Sequence, residues 1–108
     1  MRVLIIGAGR VGLRTARVLR EEGHEITILE RDRQKADRAR ELTFDVVDGD
    51  GSREEMLEAA GVDKADAVGA LTGDLNANFA ACLIAKQHGC RTVMRIDEDY
   101  REEIYQQY

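Results

Sequence analysis

The sequence predicts an α/β fold built on an open parallel sheet with helices on both faces, and three observations carry that prediction. Short apolar runs alternate with helical patterns along the chain, which calls for right-handed crossovers between parallel strands. The first run, Val3-Leu4-Ile5-Ile6, breaks into Gly7-Ala8-Gly9-Arg10-Val11-Gly12 and then at once into a helical pattern. A second run, Thr27-Ile28-Leu29, ends in an acidic residue, Glu30, 18 positions beyond Gly12. Strand, Gly-x-Gly-x-x-Gly, helix and a carboxylate roughly 20 residues on make up the dinucleotide-binding fingerprint. The expected architecture is therefore a Rossmann-like doubly wound sheet with strand order 3-2-1-4-5.

Each element has its own warrant. The first strand is expected over Arg2 to Ile6, and a helix over Arg10 to Glu22, ended by Gly23-His24. A strand follows at Glu25 to Leu29, then a helix at Asp32 to Leu42 and a short third strand at Phe44 to Val47. Ser52-Arg53-Glu54-Glu55 has the capping-box pattern and predicts a helix capped by Ser52 that runs through Ala60, with Gly61 as its stop. The fourth strand is expected at Asp66 to Leu71, a long helix at Asp74 to His88 ended by Gly89, and the fifth strand at Arg91 to Ile96. Tyr100, Ile104 and Tyr108 recur every four residues beside Tyr105. They predict a tail helix over about 98–108, whose apolar face folds back on the domain or docks on a second subunit. The whole chain, 1–108, reads as one nucleotide-binding domain that forms a homodimer or higher homo-oligomer.

In such a sheet ligands bind outside the carboxyl ends of the strands. Gly7 permits the turn off the strand, Gly9 lets the backbone approach a diphosphate, and Gly12 allows close helix packing. The diphosphate would meet free N–H groups at the helix N-terminus. Glu30 would accept hydrogen bonds from both hydroxyls of an adenosine ribose and repel a 2′-phosphate, which favours NAD or NADH over NADP. Arg31 and Arg33 pull the other way, or else belong to a solvated loop. Asp50, with Gly49 and Gly51, would stand near the adenine, unless the segment is only a turn leading to the Ser52 cap. Thr72 would turn its backbone to the ligand, and Asp74 reads as a helix cap. Arg10 opposes the dipole of its own helix, which an anion bound beside it would offset. Arg95 interrupts an apolar strand, so it either pairs with Asp97 or Asp99 or reaches the ligand phosphates. His24 and His88 fall on the opposite edge, out of reach of a bound nucleotide.

Composition excludes several classes. A net charge of −5 argues against a nucleic-acid surface. No apolar run approaches the ~20 residues that span a bilayer, so no direct membrane insertion is expected. The first strand follows Met1 with no leader, and Cys82 and Cys90 read as reduced thiols, both in keeping with a cytoplasmic protein. No metal-ligand spacing stands out. With no Tyr-x-x-x-Lys and no second domain in 108 residues to build a substrate site, a receptor is expected rather than an enzyme.

The pattern Ile6-Gly7-Ala8-Gly9-Arg10-Val11-Gly12, Gly23-His24-Glu25-Ile26, Gly49-Asp50-Gly51, Ala65-Asp66-Ala67, Leu71-Thr72-Gly73-Asp74 with Asn76 and Asn78, and Arg95-Ile96 resembles the nucleotide-binding domain of the Trk-type potassium-uptake regulators. This is the KTN or RCK (regulator of conductance of potassium) N-terminal domain family. The resemblance covers nearly the whole chain. It implies binding of NAD or NADH, or alternatively ATP, ADP or AMP, without turnover. It also implies a potassium channel or transporter membrane subunit as partner, at the inner face of the cell membrane. By position its nucleotide contacts would be Gly7, Ala8, Gly9, Arg10, Val11, Glu30, Asp50, Gly51, Leu71, Thr72 and Arg95; Gly12, Arg31 and Gly73 complete the candidate set. Two rival readings are a cofactor-binding domain cut from an NAD-dependent oxidoreductase and a stand-alone nucleotide sensor.

Overall fold

A computed structural model describes residues 1–96 of the chain. The expected tail helix, with Tyr100, Ile104, Tyr105 and Tyr108, lies outside the described residues, as do Asp97 and Asp99.

Val3 and Ile5 project to one face of the first strand, β1 (Arg2–Ile6), and Leu4 and Ile6 to the other; none is more than 6% exposed. A strand buried on both faces belongs in the middle of a parallel sheet. It does so here: β1 pairs with β2 (Glu25–Glu30) on one side and β4 (Ala67–Ala70) on the other, and β3 (Asp45–Asp48) and β5 (Arg91–Met94) form the edges. All pairings are parallel and the order is β3-β2-β1-β4-β5, as the sequence predicts.

The helices divide between the faces. α1 (Arg10–Glu21) and α2 (Arg33–Glu41) cover Val3, Ile5, Ile26 and Ile28 with Ala16 and Ala39, joined by Phe44 from the turn before β3. α3 (Glu54–Ala59) and α4 (Leu75–Gln87) cover Leu4, Ile6, Leu29 and Val68 with Leu57, Ala81, Cys82 and Ala85. Small residues on the helices let them approach the strands, and each fully buried Ile or Leu contributes about 1.5–3 kcal/mol.

Several boundaries differ from expectation. The Ser52 capping box does not form. α3 begins at Glu54 after Arg53, whose side chain makes no cap bond, while the Ser52 hydroxyl and N–H donate to Asp50 Oδ1 at 2.7 and 2.9 Å. A competing Asx turn two residues upstream has taken the cap residue. An unexpected 3-10 turn, Val62–Lys64, joins α3 to β4. β5 stops at Met94, so Arg95 is half-buried just past the strand rather than inside it. Asp74 caps α4 through a bond accepted from the Ala77 N–H, as its position suggests.

Candidate functional site

The carboxyl ends of the strands converge because the loops leaving them hydrogen-bond back onto the sheet. Gly7 N–H donates to Leu29 O, Leu71 N–H to Ile6 O, Gly49 N–H to Glu30 O and Arg95 N–H to Ala70 O, at 2.8–3.1 Å. At this edge lies a cleft of about 260 Å³, lined among others by Arg31, Asp50, Gly51, Thr72 and Gly73. A second cleft of about 210 Å³ opens at the opposite edge, near Arg2, Gly61 and Lys64. The chemistry expected of a nucleotide site is concentrated at the first.

The glycine loop has three distinct local geometries. Gly7 has φ of +104°, and a Cβ there would crowd Thr72 N at 3.1 Å. A Cβ on Gly12 would stand 1.9 Å from Gly7 O, so the first turn of α1 packs directly on the loop. Around Gly9 nothing lies within 4 Å of where a Cβ would be, so the space above it is open. Gly9 is also the N-cap of α1, with no side-chain cap bond and no acidic residue in the first turn. A helix start without a capping side chain, beneath open space, is suited to an anion.

Glu30 closes the other side of the loop. Its carboxylate is 8% exposed and bridges two turns: Oε1 accepts from Ala8 N–H at 2.7 Å, Oε2 from Asp32 N–H at 2.9 Å. Each carboxylate oxygen can accept a second bond. Sequence spacing finds the residue but not its tie to Ala8, which is itself 2% exposed and whose N–H is taken up by the Glu30 carboxylate.

Asp50 is partly spoken for. Its bonds from Ser52 hold its carboxyl below the ordinary carboxylate range, and the nearby Arg31 and Arg53 charges add to the effect. The other oxygen, Oδ2, has no hydrogen-bond partner among the described residues. Gly51 is set by packing, since a Cβ would lie 2.4 Å from Ile6 Cγ2. Leu71 is 8% exposed and packed in the core, so only its backbone is available. Gly73 faces open space.

Arg10 and Val11 are exposed in the first turn of α1, but Arg10 lines an outer groove between α1 and α2, with Arg14, Arg17 and Arg38, rather than the cleft. Arg95 is half-buried, and its carbonyl accepts from Asn78 Nδ2 at 3.2 Å.

One residue, Lys35, and the role of another, Asn78, escape sequence reasoning. Lys35 lines the cleft from the first turn of α2; its signal is a cation opposing the helix dipole, the same argument that singles out Arg10. Asn78, 1% exposed, clasps the β4–α4 turn. Its Oδ1 accepts from Thr72 N–H (3.1 Å) and hydroxyl (2.6 Å), and its Nδ2 donates to the Thr72 and Arg95 carbonyls. The histidines are remote, as expected: His24 Nδ1 meets the amino group of Met1 at 3.0 Å and His88 Nδ1 meets Asp63 Oδ1 at 2.6 Å.

With this geometry in view, comparison with known proteins is informative. The family model described as the TrkA-N domain matches residues 3–108. A Trk system potassium uptake protein TrkA homolog of Pyrococcus abyssi is 37% identical over 99% of this chain and 48% of its own length. The chain thus spans about half the length of that curated relative. Among solved structures, the C-terminal domain of Shewanella denitrificans Kef in its AMP-bound form superposes with a TM-score of 0.76 at 27% identity, covering 88% of this chain and 58% of that one. The NAD(P)-binding domain of an exopolyphosphatase-related protein from Archaeoglobus fulgidus shares the fold, with a TM-score of 0.78 at 18% identity over 96% of this chain and 80% of its own.

Proposed function

This chain belongs to the TrkA-N domain family, and from that premise we propose that it is a nucleotide-responsive regulatory domain of a potassium-uptake system. It binds an adenosine nucleotide across the carboxyl edge of the sheet. The observation that carries this reading is the pairing of an uncapped α1 N-terminus under open space at Gly9 with the buried Glu30 carboxylate. The first is suited to phosphate and the second to a ribose diol.

The roles follow from the geometry. The first-turn N–H groups of α1 receive the phosphates. Glu30, already anchored by Ala8 and Asp32, accepts the ribose hydroxyls and disfavours a 2′-phosphate, so NAD or NADH and the adenine nucleotides ATP, ADP and AMP are preferred to NADP. Asp50 and Gly51 face the adenine half; Thr72 and Gly73 face the far half, with Arg31 and Lys35 supplying positive charge. Arg10 is exposed in the first turn of α1 and Arg95 is half-buried just past β5; both are assigned to the phosphate side by their place in the chain, though Arg10 lines the outer groove rather than the cleft. The AMP held by the Shewanella protein supports an adenine nucleotide as the ligand.

The domain works by binding rather than turnover. The histidines, its best acid–base groups near neutral pH, are held at the opposite edge. A receptor regulates when the ligand prefers one of two conformations, and coupling of about 1–3 kcal/mol suffices. The naming of the relatives as Trk system potassium uptake proteins supports a potassium-uptake system as the setting in which the domain acts; a transporter membrane subunit as partner, contacted from its cytoplasmic side by two or more copies, is part of the proposal. No helix among the described residues is long and apolar enough to cross a membrane.

Calorimetric titration with NAD, NADH, NADP, ATP, ADP and AMP tests the reading. Saturable binding is expected for the ligands with a free ribose diol, weakened at least tenfold by Glu30→Gln. Equal binding of NADP, or no change in Glu30→Gln, would contradict the ribose assignment. NADH oxidation by a small carbonyl substrate would favour the oxidoreductase reading instead.

A further inference from the structure

We propose a second site, for a divalent transition metal, at the edge of the sheet opposite the nucleotide cleft. One carboxylate oxygen each from Glu54 and Glu58 and a ring nitrogen of His88 all lie within 4.8 Å of one another. Two exposed glutamates alone would hold no ion. Here they converge on an imidazole that is already oriented.

The convergence has a structural cause. Glu54 and Glu58 are four residues apart on α3 and so share one helix face. His88 is the C-cap residue of α4, which packs beside α3, and its backbone N–H is bonded to the Ile84 and Ala85 carbonyls. Its side chain is only 19% exposed, and Asp63, in the 3-10 turn that follows α3, holds Nδ1 at 2.6 Å. A metal-binding histidine characteristically donates its other ring N–H to a carboxylate, which fixes the tautomer and makes the free nitrogen a better ligand. With Nδ1 turned to Asp63, Nε2 is the ring nitrogen left for a metal. Among the described residues neither Glu54 nor Glu58 pairs with an Arg or Lys. Neither carboxylate is therefore held by a cationic side chain within ion-pair distance, and both are available to an ion.

The donor set selects the metal. One imidazole nitrogen and two carboxylate oxygens suit Zn²⁺ or its transition-metal neighbours, whereas Mg²⁺ and Ca²⁺ favour oxygen throughout. Zinc bonds of roughly 2.0–2.2 Å bring the ligand atoms within about 3.5 Å of each other. The exposed glutamate side chains can close that distance without backbone movement. Three protein ligands leave one position for water, so the site binds more weakly than a closed structural zinc. A bound ion would clip α3 to the end of α4 and leave the nucleotide cleft untouched.

The test is titration of the 108-residue chain with Zn²⁺, and separately Mg²⁺, without nucleotide, read by calorimetry and by melting temperature. One Zn²⁺ per chain with a raised melting temperature is expected, with no response to the same concentration of Mg²⁺. Glu54→Gln and Glu58→Gln change exposed side chains and should each weaken Zn²⁺ at least tenfold with the circular dichroism unaltered. Asp63→Asn should weaken it about 10- to 100-fold without removing a ligand. Absence of binding would overturn the proposal, as would affinity unchanged in the two glutamine variants. Substitution with Co²⁺ supplies a further check: a thiolate-to-cobalt charge-transfer band would put the ion on Cys82 or Cys90 and also overturn it.

Discussion

Glu30 shows how much a single side chain can be asked to do. It is a buried charge satisfied by two backbone amides from separate turns, so it shapes the loop that it is proposed to help read. Glu30→Gln puts an amide N–H₂ against one of those donors. It should lower unfolding free energy by about 1–3 kcal/mol, the cost of a buried donor without a partner, as checked by urea denaturation. Asp50 gives a pH prediction. Its folded-state pKa is depressed by the Ser52 N–H and hydroxyl. The stability it contributes is therefore present above the ordinary carboxylate pKa of roughly 3.9, and is lost as pH falls through the lower folded value. The acid limb of the stability curve should flatten in Asp50→Asn; an unchanged limb would show that the Asx turn contributes nothing. Glu30 was legible in the sequence because its offset from Gly12 is fixed by the βαβ unit. The Asp50–Ser52 turn was not, because Ser52 satisfies a capping-box pattern equally well and only the competing local bond decides between them.

At the scale of elements, Gly9 and Gly12 make a sharp contrast. Gly12→Ala would drive a Cβ into Gly7 O and should destabilise by about 1–3 kcal/mol or more through overpacking. Gly9→Ala meets nothing and its φ of −79° suits alanine, so the fold should melt normally while nucleotide affinity falls. The Asn78 clasp predicts that Asn78→Ala, which leaves the part-buried Thr72 N–H without its partner and empties a fully buried side-chain site, costs about 1–3 kcal/mol; thermal melts check it. The end of α2 is a different case. α1, α3 and α4 are followed by glycines with φ near +90°, but α2 is followed by Thr43 at φ +68°. A β-branched residue there is strained. Arg20 partly compensates, bonding Thr43 Oγ1 and stacking on Phe44 at 3.8 Å from its centroid. The strands and helices themselves were legible because their periodicity is strong. Their ends were not, since β5 stops two residues early when Arg95 leaves the sheet, and the 3-10 turn at Val62–Lys64 carries no periodic signal.

For the molecule as a whole, the winding of the sheet sorts function to its two edges. The carboxyl edge gathers Gly9, Glu30, Asp50 and Thr72 into the proposed nucleotide site, while the amino edge gathers Glu54, Glu58, Asp63 and His88. The edge on which Asp63 and His88 lie was readable from sequence, because strand direction alone assigns each loop to an edge; the place of Glu54 and Glu58 was not. The partners of His88 were not, because α3 and α4 meet only in the tertiary fold. The central claim is that an adenosine nucleotide lies across the carboxyl edge with its phosphates on α1. Backbone amide chemical-shift mapping tests it most directly, by recording ¹H–¹⁵N spectra of the labelled chain as ADP is added. The account predicts saturable shifts concentrated at Gly9, Arg10, Val11, Gly51, Thr72 and Gly73, with the amides near Asp63 and His88 unmoved. Shifts clustered at the amino edge, or a spectrum indifferent to ADP and NADH alike, would contradict it.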